Sequence, residues 1–401
     1  MSKWKKVKIS DLGRVVGGAT PSTKKEEYYN GDIAWITPKD LSDFQGRYIS
    51  QGERSITKAG MDSCSTQLLP KNTILFSSRA PIGYVAIAQN EMCTNQGFKS
   101  VIPYDNVDYL FLYYLLKYNK DTIEAMGSGT TFKEVSGSVM RKIEVMIPES
   151  ITTQRNIAAI FNAIDCKIEN NQRINDNLIQ QVNAIFKHWF SDSPKLDSMA
   201  KVALADLCLV ITKGTTPTTL GRPFVSEGIN FIKAESILGN HAIDKNKFAF
   251  INTETNDLLK RSIICSGDIV FTIAGTLGRF ALIDDSVLPA NTNQAVAIIR
   301  ADPQLVMPEY LYSFFLGNWH NDYYTKRIQQ AVQANLSLGT IKSLPIPILP
   351  DRDMSEYLGM ISPIIKMTKL NEHEITRLEN MRDTLLPRLM SGELDVSDFD
   401  I

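Results

Sequence analysis

The sequence predicts an α/β (α+β) protein: two similar domains separated by a long antiparallel two-helix coiled coil, built as a pseudo-twofold internal repeat. Three observations carry this expectation. A series of short motifs occurs twice in the same order, about 196 residues apart. Each series is followed by a long stretch with apolar residues at alternating steps of three and four. Both stretches carry Asn near the middle of that apolar stripe.

The first series fills residues 1–150. It runs GGATPS (17–22), GDIAWITPKDL (31–41), LLPKNTILFSSRAPIGYVAIA (68–88), Asn95-Gln96, Asp108-Tyr109-Leu110, the loop EAMGSGTTFKEVS (124–136) and KIEVMIP (142–148). Here β-branched and aromatic residues flank the turn Arg79-Ala80-Pro81-Ile82-Gly83, a hairpin pattern. FKSVIP and IEVMIP read as further strands and Tyr109–Tyr118 as a helix. The second series, residues 193–350, offers KGTTPT (213–218), EGINFIKAESI (227–237), IICSGDIVFTIAGTLGRFALI (263–283), Asn293-Gln294, Glu309-Tyr310-Leu311, QQAVQANLS (329–337) and SLPIPILP (343–350). A shared order across so many features implies duplication of one domain.

Residues 151–192 form the first helical segment. Thr152–Phe190 contains neither Pro nor Gly. Its stripe is Ile157, Phe161, Ile164, Ile168, Asn171, Asn175, Leu178, Val182, Ile185 and Trp189, a seam of 3.5-residue period. A buried Asn costs stability and selects one alignment, so Asn171 and Asn175 are candidates for setting register. Residues 351–390 form the second segment, with Ile361, Ile364, Thr368, Asn371, Ile375, Leu378, Arg382, Leu385 and Leu389 along its seam. Pro363, near the start, reads as a tolerated first-turn proline or as part of a short kinked lead-in, and Pro387 as an end to the helix. Asn371 is the third register candidate, expected to meet Asn171 and Asn175 in an antiparallel pair. Residues 391–401 are an acidic tail.

Composition narrows the function. The 401 residues carry a net charge of −1, with hydrophobic residues at 43%. No apolar run is long enough for a membrane span, and the start lacks the apolar core of a signal peptide. The five Cys are scattered without a CxxC, and the four His are dispersed, so neither a disulfide framework nor a zinc site is expected. A cytoplasmic setting follows. Residues 1–150 hold 19 Lys and Arg against 16 Asp and Glu; residues 351–401 hold 6 against 11. This is mild basicity for a protein that grips nucleic acid alone.

Catalytic signatures are missing. There is neither a GxGxxG nor a P-loop, and no methyltransferase or metal-nuclease motif. Asp165-Cys166-Lys167 reads as a solvated helix face, His188 as helix packing, and Gly275-Thr276-Leu277-Gly278 as a turn. No catalytic, cofactor or metal residue is expected in this chain. Binding residues remain. The two loops between the domain helix and the last strand supply Thr130, Thr131 and Lys133, and Gln333, Asn335 and Ser337, side-chain types that hold phosphates and read base edges. Lys24, Lys25, Arg79 and Lys99, then Lys213, Arg222, Lys233 and Arg279, add positive charge. Taken alone, each reads as a solvated surface charge rather than a DNA contact.

The segments WKKVKISDLGRVVGGATPS, GDIAWITPKDL, ILFSSRAPIGYVAIA, TNQGFKSVIP, IPESITTQRNIAAIFNAIDCKIENNQ and TLLPRLMSGELDV resemble the specificity subunits of type I restriction-modification enzymes, over essentially the whole chain. The resemblance implies two target-recognition domains and two spacer helices on a non-catalytic subunit. It also implies double-stranded DNA as ligand, two methyltransferase subunits bringing S-adenosylmethionine, and ATP- and Mg-dependent restriction subunits in the full complex. A specificity protein of a related phage-defence system, or a coiled-coil scaffold with ligand-binding domains, shares the layout. At about 1.5 Å per residue the first helix spans roughly 50 Å. Set against about 3.4 Å per base pair, that is roughly 12–15 base pairs between domain centres.

Overall fold

The computed structural model describes residues 3–42, 44, 46–129, 133–193, 196–328 and 335–396. The chain divides into two units, Met1–Glu169 with Arg377–Ile401, and Asn170–Thr376.

In the first unit, strands Gly13–Gly17, Lys99–Pro103, Ile74–Ser78, Ile82–Ala88 and Tyr48–Ile49 lie side by side in that order. A three-stranded sheet has the order Arg54–Ile56, Tyr29–Ile36, Cys93–Thr94, and Trp4–Lys8 pairs with Glu144–Pro148. Ile74, Leu75 and Phe76 are all fully buried, so this strand is covered on both faces and reads as a continuous apolar run. Helix Tyr109–Tyr118 begins where the Asp108 carboxylate accepts from the Phe111 amide at 2.9 Å, and it buries every residue from Phe111 to Leu116.

The second unit repeats this order. Cys208–Lys213, Val296–Ala301, Ile269–Thr272 and Phe280–Leu282 form one sheet; Ala249–Ile251, Ile229–Ile232 and Ala290–Thr292 form another; Lys201–Ala203 pairs with Pro345–Pro347. Registers correspond too: Gly17 lies opposite Lys99, and Lys213 opposite Ala297. The glycine shared by GGATPS and KGTTPT has a packing reason. A Cβ on Gly18 would overlap the carbonyl oxygens of Thr94 and Asn95, and one on Gly214 that of Thr292.

The first long helix is Ile151–Phe186, continued by a π-helical turn at Lys187–Ser191. Its seam is buried at Ile157, Phe161, Ile164, Ile168, Asn171, Asn175 and Val182. Beyond Val182 the buried positions become Phe186 and Phe190, while Ile185 and Trp189 are only partly covered. Steps of four replace the heptad there because the helix leaves a narrow seam and enters a domain core. His188, expected to pack, is exposed.

The second long helix, Asp351–Met390, runs through both prolines. Pro387 does not end it; the three residues after it complete the last turn. Pro363 lies on an exposed face, and the carbonyl its ring crowds belongs to exposed Gly359, where a tilted carbonyl finds water.

Candidate nucleic-acid interface

A series of polar contacts links the segment after Gly18 to the hairpin of the first unit. The Tyr29 hydroxyl donates to the Pro21 carbonyl at 2.7 Å and Trp35 Nε1 to the Ala19 carbonyl at 3.1 Å, which anchors the segment after Gly18. The Thr20 hydroxyl then donates to Gln96 Oε1. Lys99 Nζ donates to the Gln96 carbonyl and to Ser78 Oγ, each at 3.4 Å, and lies 3.2 Å from Glu134 Oε1. Glu134 Oε2 is 3.8 Å from Arg79 Nη1. Backbone pairing of Arg79 with Glu134, and a Val135 amide donating to the Ser78 carbonyl at 2.9 Å, hold the loop on the hairpin. The fold thus brings Arg79 and Lys99 together, with exposed Lys133 beside them in sequence. Lys24 and Lys25 are exposed past the anchored segment; Lys25 Nζ is 3.0 Å from the Tyr28 hydroxyl, a hydrogen bond that raises its pKa. Thr130 and Thr131 lie outside the described residues.

The second unit keeps the frame and changes the chemistry. The Thr216 hydroxyl donates to Gln294 Oε1, and the Leu336 amide donates to the Ile273 carbonyl at 3.0 Å. Through these equivalent bonds Asn335 stands where Glu134 does, Ala274 where Arg79 does, and Ala297 where Lys99 does. Asn335 is exposed. Ser337 accepts from the Thr340 amide at 3.0 Å and so caps helix Leu338–Lys342, as Ser136 caps Gly137–Lys142. Its hydroxyl is thereby committed to the helix end. Gln333 lies outside the described residues. Arg222 pairs with Glu254 at 2.8 Å, and Lys233 with Glu235 at 3.0 Å; Lys233 also stands over the Phe224 ring. Arg279 donates to the Ile237 carbonyl at 3.3 Å, and Lys213 is exposed, its carbonyl accepting from Arg261. Among the described residues no shared side-chain partner joins these four as Glu134 joins Arg79 and Lys99. Sequence reasoning passed over Thr20, Gln96, Thr216, Gln294 and Glu134. The recurring Asn-Gln dipeptide was the available signal for the glutamines.

Within the first unit the two long helices run antiparallel: Asn156 meets the Val396 carbonyl at 3.0 Å, and Asp165 Oδ1 meets Arg382 Nη1 at 3.0 Å. Asp165 is therefore not on a solvated face. It flanks the seam, 4% exposed, and also accepts from the Tyr114 hydroxyl at 2.7 Å. Buried Arg47 completes the group, donating to Glu169 at 2.7 Å and to Asn162 at 2.8 Å. Burial works against the Arg47 charge, but the bonds to Glu169 hold its pKa above the usual arginine value. Arg382 is likewise raised: burial opposes its charge, and Asp383 and Asp165 outweigh it. Within the second unit Asn371 Nδ2 donates to Asn175 Oδ1 at 2.7 Å, and Asn175 Nδ2 to the Thr368 carbonyl at 3.2 Å. Asn171 finds Glu374 at 2.8 Å instead of Asn371.

The family model of the type I restriction modification DNA specificity domain matches this chain twice, at residues 1–180 and 197–380. The chain belongs to this family. Its two matches coincide with the two halves of the repeat, and the chain is a type I restriction-modification specificity subunit. A type I restriction enzyme specificity subunit of Methanocaldococcus jannaschii is 32% identical over 98% of this chain and 94% of its own length. One from Haemophilus influenzae is 29% identical over 42% of this chain and 38% of its own. The crystal structure of a type I restriction-modification S subunit from M. genitalium shares the fold, with a TM-score of 0.58 at 18% identity, covering 97% of this chain and 96% of that one. As a specificity subunit, the chain is a recognition component and not a catalytic one. Among the described residues no helix is long and apolar enough to cross a membrane.

Proposed function

We propose that the specificity subunit reads a bipartite DNA target, with residues 1–150 and 193–350 as target-recognition domains that each take one half-site. The observation that carries this reading is the twofold use of one frame. Equivalent hydrogen bonds hold equivalent loops, yet the side chains on them differ. Two readers of one design with different chemistry suit two half-sites of different sequence, separated by base pairs that neither touches.

The helix pair is the spacing device in this reading, with Asn171, Asn175 and Asn371 setting its alignment. It also seats two methyltransferase subunits, and restriction subunits join in the full complex. Met360, Met367 and Leu370 support such a seat: they share a face of the second long helix and are 38%, 49% and 52% exposed. S-adenosylmethionine, ATP and Mg belong to the partner subunits, and the work is cytoplasmic. The mild net charge fits a chain whose partners contribute to the grip on DNA.

Exchanging residues 1–150 for those of another family member, followed by modification mapping in cells carrying the complete system, tests this. One half-site changes and the other stays. A change in both removes the modular reading. Adding one heptad to each long helix lengthens the unread spacer by roughly three base pairs, from the helix and duplex rises.

A further inference from the structure

The charged trio of the first unit has no counterpart in the second, and its arrangement is informative. Lys99 is 14% exposed and surrounded by acceptors: Glu134, Ser78 Oγ and the Gln96 carbonyl. It acts as an internal support for the Glu134 carboxylate. Arg79 differs. Its side chain is 35% exposed, and among the described residues its one ion-pair partner is Glu134, at one end of the guanidinium. The side chain stands on a hairpin turn whose backbone is pinned to Glu134, and the other donors of its planar fork are not taken up by that carboxylate contact.

The carboxylate decides what such a fork suits. A phosphate contact gains from every nearby cation and loses to a nearby anion, so Glu134 is the wrong neighbour for a phosphate reader. A base edge carries no net charge. There the anion neutralises part of the local cation density, limits nonspecific attraction and orients the arginine. Arginine oriented in this way matches the O6 and N7 acceptors of guanine in the major groove, which a flexible cation does not match as well. The equivalent positions Ala274, Ala297 and Asn335 offer no cation, and an exposed amide suits adenine instead.

We propose that Arg79, with Glu134 as its positioning residue, reads a guanine in the half-site of the first domain. The proposal rests on the half-site reading above. The test uses the full chain with its methyltransferase subunit. Binding is measured on a duplex set in which each base pair of the mapped target is replaced in turn. Arg79→Ala relaxes the preference at one G·C pair of the first half-site by roughly 5- to 150-fold, from the usual discrimination of a bidentate contact. Preferences in the second half-site stay as they were. Arg79→Lys keeps the charge and the salt dependence but relaxes the same pair. Glu134→Gln relaxes it partly while nonspecific binding at low salt tightens. If Arg79→Ala weakens all duplexes alike and lowers the salt slope by about one, Arg79 is a phosphate contact and the proposal is overturned. Unaltered preferences overturn it equally. A wild-type complex without sequence preference in either half-site would instead remove the half-site reading, and this assignment with it.

Discussion

The two units fasten the same helix pair by opposite chemistry. In the first, an ionic group links both long helices to the domain, with Arg47, Asp165 and the Tyr114 hydroxyl buried and Glu169 and Arg382 half-buried at its rim. In the second, the corresponding junction is aromatic. Phe186, Phe190, Phe314, Tyr310 and Tyr357 pack with ring centroids 4.8 to 6.1 Å apart, and the Tyr357 hydroxyl donates to Ser313 Oγ at 2.8 Å. A packed aromatic group gains from area and shape, and its parts tolerate small shifts. Desolvated ions gain little net stability but are costly to misplace, so they favour one geometry. The lesson is that a duplicated fold keeps its junction while exchanging what holds it: bulk stability on one side, directional constraint on the other.

The largest effect that separates these modes is expected from Phe190→Ala, which should destabilise the second unit by about 3–5 kcal/mol. Hydrogen exchange resolves the location: protection falls in Asn170–Thr376 first. Asp165→Ala should cost roughly 3 kcal/mol in the first unit, because it takes the acceptor from the buried Tyr114 hydroxyl and leaves the half-buried Arg382 with Asp383 alone. Here the second substitution discriminates. Asp165→Leu with Arg382→Met should recover much of the loss, whereas an equal loss in single and double variants would mean the charges are not coupled.

Acid sharpens the comparison, since all four histidines lie in the second unit. Burial pushes His241 and His320 down to about 4. In the unfolded chain they protonate near the ordinary value of about 6.5. The unfolded state thus takes up protons first, so this contribution is full above about pH 6.5 and is lost as pH falls toward 4. Unfolding followed against pH should show the second unit weakening in that window, and His320→Phe should flatten the slope.

Asn371→Leu should cost about 1–3 kcal/mol by leaving Asn175 short of a partner. Replacing Asn175 and Asn371 both by Leu should restore or raise stability while loosening register, read as variability in the spacer of modified sites. The smallest test is Ser136→Ala against Ser337→Ala. Each removes an equivalent cap, so each should lower stability by about 1 kcal/mol, measured by urea unfolding. A Ser337 effect on DNA affinity without a stability loss would return it to the list of DNA contacts.

Much of this was legible in the chain itself. Duplicated order, the hairpins, helix Tyr109–Tyr118 and both long helices follow from periodicity and turn residues, which act locally. Asn175 and Asn371 stood out because a polar residue in an apolar seam breaks a pattern. Glu134, Gln96 and Arg47 did not stand out. Their neighbours, Lys99 and Arg79, Thr20, and Asp165 and Glu169, are distant in sequence, and a lone charged or amide residue carries no mark of the pair it will join.

Pro387 and Asp165 show the remaining division most directly. Local preference suggested that proline stops the helix and that a charged triplet faces water. Packing of Leu389 and Met390 into the first core carries the helix past Pro387, and Arg382 with Tyr114 draws Asp165 inside. The sequence alone determined the repeat, its elements and the family, because these depend on order and period along the chain. Only the tertiary structure decided which charges meet, which loop residues face outward and what holds each unit to the helix pair, because these depend on burial and on partners that folding brings from afar.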